Sequence, residues 1–447
     1  MRIRELAERV RHSLWFIPAL SVVIAAVAAL ILLGLSDSLD ASGAHLPLIF
    51  GAGPDGARAM LGAIGGSVIT VAGTIFSITI VALQLTSSQF SPRVLRNFLR
   101  DRPNQLVLGV FIGTFTYCLL VLRSIRAEAT DRAAFVPNVA VTGALLLAFL
   151  SIGMLIYFIH HVSVRIQVTS ILASVASDTL RTVDAVAEWL EDRPDRPWRA
   201  AEVSESSAGG GVAPPTGAVP AGHPPAIRLS ADHSGYLQFI EVGRLVRAAA
   251  DAGGRLQLLV APGGWVQRDA PVATFTGPAD ADVESLAGTV NGALSLAPER
   301  SMQQDVAFGI QQIVDIAAKA LSPGVNDPTT AINALDRLLQ ILVAAGVAND
   351  PPRAFADADG VTRLDVPLPG LDELVRLALD QLRFYGATTP AVALHIARVL
   401  SQLRDAVGDR AATAIRRQAD LLAEAVGDVP LASDRAAILA AVTPLRA

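Results

Sequence analysis

Six uncharged polar side chains and one valine share a single spacing inside a long apolar stretch. They are Ser67, Thr70, Thr74, Ser77, Val81, Gln84 and Ser88, set at alternating steps of three and four residues. On a helix that spacing forms one stripe. Hydroxyls and amides of this kind do one of two things at membrane depth. They hydrogen-bond to neighbouring helices, or they line a water-filled path and replace part of an ion's hydration shell. The first reading is packing within the protomer. The second is a pore built from copies of this helix around an oligomer axis. The adjoining stripe, Val68, Val71, Ile75, Ile78, Ala82 and Leu85, is apolar, and Gly62, Gly65, Gly66 and Gly73 permit close approach of another backbone.

The stretch that must hold the stripe runs from Ala59 to Pro92 and has no charged residue. As a helix it would overrun a hydrocarbon core of roughly 30 Å. Three further apolar runs, Leu14 to Leu35, Asn104 to Leu122 and Phe135 to Ile159, are also long enough to span. Gly109 and Gly113 give the third span a GxxxG spacing suited to tight helix contact. The reading is therefore four transmembrane helices in residues 1–162.

Composition agrees. Of 447 residues 52% are hydrophobic and 17% charged, and the mean hydropathy is +0.46. The excess sits in long runs, which argues for a membrane protein. A net charge of −5 gives no reason to expect nucleic acid as a partner. The single cysteine, Cys118, excludes an intrachain disulfide and a cysteine metal site.

Arginine supplies nearly all the positive charge, and Lys319 is the only lysine. Arg2, Arg4, Arg9 and Arg11 precede the first span, and Arg93, Arg96, Arg100 and Arg102 follow the second. The positive-inside rule then places both termini in the cytoplasm of a multi-pass inner-membrane protein. The same arginines would form either a basic vestibule or ordinary anchors, and anchoring is the preferred reading. His160 and His161 are adjacent, so on a helix they point about 100° apart and cannot chelate one metal together.

Beyond the fourth span the pattern changes. Residues 163–191 read as an amphipathic connecting helix and 192–225 as a flexible Pro- and Gly-rich linker. Residues 226–300 read as a small β-rich domain, with strands at SGYLQFI, RLQLLV and PVATF and turns at Gly263–Gly264 and Gly277–Pro278. Residues 301–447 read as a helical domain. Its candidate helices are Met302–Leu321, Asp327–Ala345, Leu371–Phe384, Pro390–Val407 and Asp409–Val426, with Asp327 as an N-cap ahead of Pro328. The fold class is thus a membrane α-helical region joined to a cytoplasmic α+β region.

A second candidate site lies in that helical domain. Asp305, Gln312 and Asp315 share a stripe, and with Asn326 and Asp327 nearby in sequence they suggest a small-ligand or cation site. The bland reading is helix caps and a solvated face. DADG at Asp357–Gly360 is not an EF-hand, because Phe355 and Val366 occupy ligand positions. Phosphate-loop, HExxH, GxSxG and CxxC signatures are missing, so no enzyme activity, cofactor or metal is expected.

GTIFSITIVALQLTSSQFSPRVLRNFLRD, SGYLQFIEV, QQDVAFGIQQIVDIAAKALSPGVNDPTTA and the His160–His161 pair resemble the bacterial predicted membrane proteins grouped as domain of unknown function 2254. The resemblance implies an integral inner-membrane protein with a cytoplasmic C-terminal region, and no activity. A shorter segment, GGWVQRDAPVATF, resembles the turn of biotinyl and lipoyl carriers but lacks their lysine. The reading the residues favour is an oligomeric ion channel, with membrane lipid, small ions and further copies of the chain as partners. The alternative is a non-conducting sensor or scaffold whose cytoplasmic domain binds a ligand or partner.

Overall fold

The computed structural model describes residues 16–42, 53–89, 102–126, 135–165, 167–190, 196, 198–201, 226–348 and 353–446. The arm at 1–13, the linker at 202–225 and Arg93, Arg96 and Arg100 lie outside them, as does the side chain of Ser88. The chain separates into two compact units, Met1–Ser170 and Ile171–Ala447.

The first unit is helical. It comprises α1 (Phe16–Ser42), α2 (Pro54–Gln89), α3 (Arg102–Ser124) and α4 (Asn138–Arg165). Helix α3 is the centre, packed against each of the others. The GxxxG expectation is met. A Cβ on Gly109 would press on the Ser21 side chain of α1, and one on Gly113 would meet the Ser21 carbonyl at 3.3 Å and Ala25 at 3.5 Å. Several interior polar groups bond across helices, as a nonaqueous surrounding favours, while Asn104 Oδ1 and Asn138 Oδ1 are buried without a partner among the described residues. The Tyr117 hydroxyl donates to the Ala140 carbonyl at 2.7 Å, the Ala140 amide donates to Ser36 Oγ at 3.3 Å, and Thr114 and Ser151 share a hydrogen bond of 3.2 Å. Outward positions on α1 and α4 are large and apolar, among them Ile24, Leu30, Ile31, Leu146 and Ile156. A face of that size left in water would aggregate; in lipid it is solvated.

The second unit joins two sheets to a helical assembly. It contains α5, which starts just ahead of it (Val168–Ala187), β1 (Arg199–Ala200), β2 (Ile227–Ser230), β3 (Gly235–Ile240), α6 (Val242–Asp251), β4 (Arg255–Leu258), β5 (Trp265–Val266) and β6 (Pro271–Thr276). Then come α7 (Val283–Ala293), β7 (Leu294–Ala297), α8 (Val306–Ala320), α9 (Pro328–Val347), β8 (Ala354–Ala356) and β9 (Thr362–Asp365). Helices α10 (Leu371–Gly386), α11 (Pro390–Val407), α12 (Ala412–Ala425) and α13 (Ala432–Val442) complete it. One sheet has the order β1-β8-β9-β4-β6-β2 and the other β5-β3-β7.

The β region is not contiguous in sequence. Strands β8 and β9 come from within 301–447, and β9 lies parallel to β4 through Leu256↔Leu364. Strand β1 belongs to the stretch read as linker and pairs with β8 through Arg199↔Ala356. Two helices, α6 and α7, stand among the expected strands. Leu237, Leu245, Leu256, Phe275, Phe355 and Leu364 form the centre of the shared core.

Five described helices are long and apolar enough to cross a membrane: α1 to α4, and α9. The fifth buries Leu335, Leu338, Ile341 and Leu342 among the helices of the second unit.

Candidate functional site

Helix α2 runs for 36 residues without an interior proline. Its surface divides into three sectors at 100° per residue. Val68, Ala72 and Ile75 form the packed sector, buried against Val107 and Phe111 of α3 and Phe158 and Val162 of α4. Ile69, Phe76 and Ile80 form an exposed apolar sector beside it. Opposite the packed sector stand Ser67, Thr70, Thr74, Ser77, Val81 and Gln84, all exposed. Gly62, Gly66 and Gly73 adjoin this third sector, and a Cβ at any of them would meet only open space. The expected apolar neighbour stripe is correct where it packs, at Val68 and Ile75, while Ile78 is exposed.

Among the described residues, packing within the protomer does not occupy the polar sector. Its hydroxyls turn back onto their own helix. Ser67 donates to the Ala63 carbonyl at 2.7 Å, Thr70 to Gly66 at 2.8 Å, Thr74 to Thr70 at 3.2 Å and Ser77 to Gly73 at 3.0 Å. Such i−4 bonds satisfy the donor internally and leave oxygen lone pairs on the open side. Among the described residues, Ser36, Thr114, Tyr117 and Ser151 make cross-helix hydrogen bonds, and none of them belongs to the stripe. His161 stacks on Tyr157 at 5.6 Å between ring centroids, and His160 is exposed.

The second candidate site is dispersed. Asp305 is the N-cap of α8, its Oδ1 accepting from the Phe308 amide at 2.9 Å. Its Oδ2 takes both Arg300 donors, Nε at 2.9 Å and NH2 at 2.7 Å. Burial raises its pKa, and the Arg300 charge and hydrogen bond oppose the rise. Gln312 is buried mid-helix, and Asp315 accepts from Gln311 at 2.8 Å. Asn326 sits at the other end of α8 with φ 50°, a left-handed conformation that asparagine tolerates. Asp327 caps α9, accepting from the Thr330 amide at 3.1 Å and hydroxyl at 2.7 Å, and the latter bond holds its pKa low. Asp305 and Asn326 thus bracket a helix of 15 residues, about 22 Å long. The five residues do not converge on one ligand.

Sequence reasoning missed what surrounds Asp305. Gly263, at φ 83°, packs its Cα side against that carboxylate; a Cβ there would overlap Oδ2 and come within 2.8 Å of the Arg300 guanidinium. Gln304 completes the junction, accepting from the Ile240 amide at 2.8 Å and donating to the Ile240 carbonyl at 3.3 Å. This ties the end of β3 to the start of α8. In the DADG turn, Asp357 accepts from the Asp359 and Val361 amides and from Arg363, so it closes the β8–β9 hairpin. Among the described residues no three His, Cys, Asp or Glu side chains are grouped to share a metal ion.

A family model described as predicted membrane protein (DUF2254) matches residues 11–402. Uncharacterized proteins of Mycobacterium bovis and Mycobacterium tuberculosis are similar to the chain, each 34% identical over 455 residues, covering 98% of this chain and 81% of theirs. No solved structure matches.

Proposed function

The chain belongs to the DUF2254 family of predicted membrane proteins, and on that premise we propose that it is an oligomeric channel lined by the polar sector of α2. In this reading α1 to α4 span the inner membrane with both termini cytoplasmic, α9 stays in the second unit, and no enzyme chemistry is involved. One observation carries the proposal. The face of α2 that lipid solvates worst is the face the described residues leave open, directly opposite its packed side. Copies meeting on that face would remove it from lipid, and the small residues along it would let backbones approach. The lone pairs left by the i−4 bonds would face the axis.

The scaffold alternative draws on the same bonds. Because each hydroxyl is already satisfied, α2 helices can pack through Gly62, Gly66 and Gly73 with no lumen. Cysteine accessibility separates the two in a Cys118→Ala background. Ser67→Cys, Thr70→Cys, Thr74→Cys and Ser77→Cys should react with a small water-soluble thiol reagent in membranes. Ile69→Cys, Phe76→Cys and Ile80→Cys should face lipid and resist it, as should Val68→Cys and Ile75→Cys in the packed sector. A polar sector no more reactive than the other two would refute the pore. Planar-bilayer recordings give the second readout: Thr70→Leu should lower conductance, and absence of any wild-type current would refute it outright.

A further inference from the structure

One small cavity orders the helices of the second unit. Val183 of α5, Val306 at the start of α8, Ala345 near the end of α9 and Leu374 in the first turn of α10 all line the same space of about 40 Å³. From there Ile171 is 12 residues away along α5, Ala320 is 14 along α8, Pro328 is 17 along α9, and Gly386 is 12 along α10. At 1.5 Å per residue those four ends lie about 18–26 Å from the cavity. Two contacts show that they lie on the same side. Gly309 of α8 packs on Thr179 of α5, 11 residues from Ala320 and from Val168 respectively. A Cβ on Gly386 would touch Leu321 at 3.3 Å. The end at which the chain arrives from α4 therefore also carries the α8–α9 loop and the α10–α11 turn.

Large apolar side chains stand open there. Phe384 is 75% exposed, Val325 53% and Tyr385 48%, and the two rings meet edge to face at 5.1 Å. Lys319 is exposed on the last turn of α8, two residues before Leu321. The apolar span of α4 ends at Ser163, eight residues before Ile171, a reach of at most about 28 Å even for extended chain. With α4 as a span, the chain lets this end reach the bilayer surface. An exposed phenylalanine and valine, a tyrosine with a polar tip and a long-stemmed cation are the side chains that settle at a membrane interface.

We propose that this end of the second unit rests in the lipid headgroup layer. Phe384 and Val325 enter the acyl boundary, the Tyr385 hydroxyl stays among the headgroups, and Lys319 meets lipid phosphate. The proposal does not depend on conduction.

The test uses the full-length protein in liposomes, in a Cys118→Ala background. An environment-sensitive fluorophore is attached at Phe384→Cys, Val325→Cys or Val347→Cys. Val347, 61% exposed at the end of α9 nearest the cavity, is the control. Labels at 384 and 325 should be blue-shifted and lose emission to a nitroxide near the head of the lipid acyl chain. The label at 347 should instead lose emission to aqueous iodide. The ratio of lipid to iodide quenching should be several-fold higher at 384 and 325 than at 347. Equal ratios at all three positions would overturn the proposal. So would a label at 384 shielded from iodide yet untouched by the lipid nitroxide, which would give the surface to another protein copy.

Discussion

Gly263 and Gly360 share a positive φ and differ in surroundings, so together they compare the energy of one contact. Their φ angles are 83° and 81°. Alanine at either position bears the left-handed strain of a β-carbon, about 1–2 kcal/mol. At Gly360 nothing lies within 4 Å of the added carbon, so that strain is the whole effect. At Gly263 the new carbon overlaps Asp305 Oδ2 and crowds Arg300. The carboxylate must move, which loosens the α8 cap, worth about 0.5–2 kcal/mol, and the charge-assisted bonds to Arg300, worth about 1.5–3 kcal/mol. Gly263→Ala should therefore cost about 3–7 kcal/mol and Gly360→Ala about 1–2 kcal/mol. Thermal unfolding of the full-length protein in detergent measures both. Three of the four tryptophans, Trp189, Trp198 and Trp265, lie in the second unit, so intrinsic fluorescence follows it. At about 2–4 °C for each kcal/mol, the two midpoints should fall by clearly different amounts. Equal shifts would refute the claim that Asp305 is held in place by the absence of a side chain at 263.

Asp305→Asn keeps a good cap but removes a group that titrates. Because burial raises the wild-type pKa above the ordinary value of 3.8, Asp305 contributes most below that value and loses its contribution as pH rises through the folded pKa. The stability difference between wild type and Asp305→Asn should therefore move toward wild type on acidification from neutral pH; a flat or opposite trend in pH-dependent unfolding would refute the buried reading. Reporter fusions test topology: those after Gly51 and Ala129 should read as outside, and those after Arg100 and at the C-terminus as inside, with an odd number of crossings excluding the four-span arrangement.

Legibility in the sequence followed locality. Helix α11 begins and ends where its pattern does, at Pro390 and Val407, because Pro at its start and Gly408 after it are local signals. Asp327 and Pro328 gave the α9 boundary for the same reason. Helix α6 was missed although Val242, Leu245, Val246 and Ala249 have helical spacing; ten residues between strands gave the period little room. The pairing of β9 with β4 joins residues more than a hundred apart, and no local pattern encodes it. The sequence pattern reads Asp305 as a stripe member because a cap and a ligand are both carboxylates at a helix start. Its position just before the apolar run was the signal for a cap, and its partner Arg300 lies outside the helix.

The length of α2 decides which part of the polar sector matters. Its 36 residues extend about 54 Å, while the hydrocarbon core needs only about 20 residues. The apolar window within it runs from Pro54 to Val81, with its midpoint between Ser67 and Val68. Ten residues either side of that midpoint reach Arg58 at one edge and Ser77 at the other. Arg58 donates to the Ile125 carbonyl at 3.1 Å, an anchor suited to an interface. In a membrane centred on that midpoint, Gln84 would stand about 25 Å away, beyond the acyl chains and within reach of water. This places the centre of the sector at Ser67 and Thr70. Within the hydrocarbon, every polar group of the sector is thus a hydroxyl already bonded to its own helix. A lumen there would be narrow and only mildly polar, so Ser67 and Thr70, rather than Gln84, are where substitution should govern both wetting and helix packing.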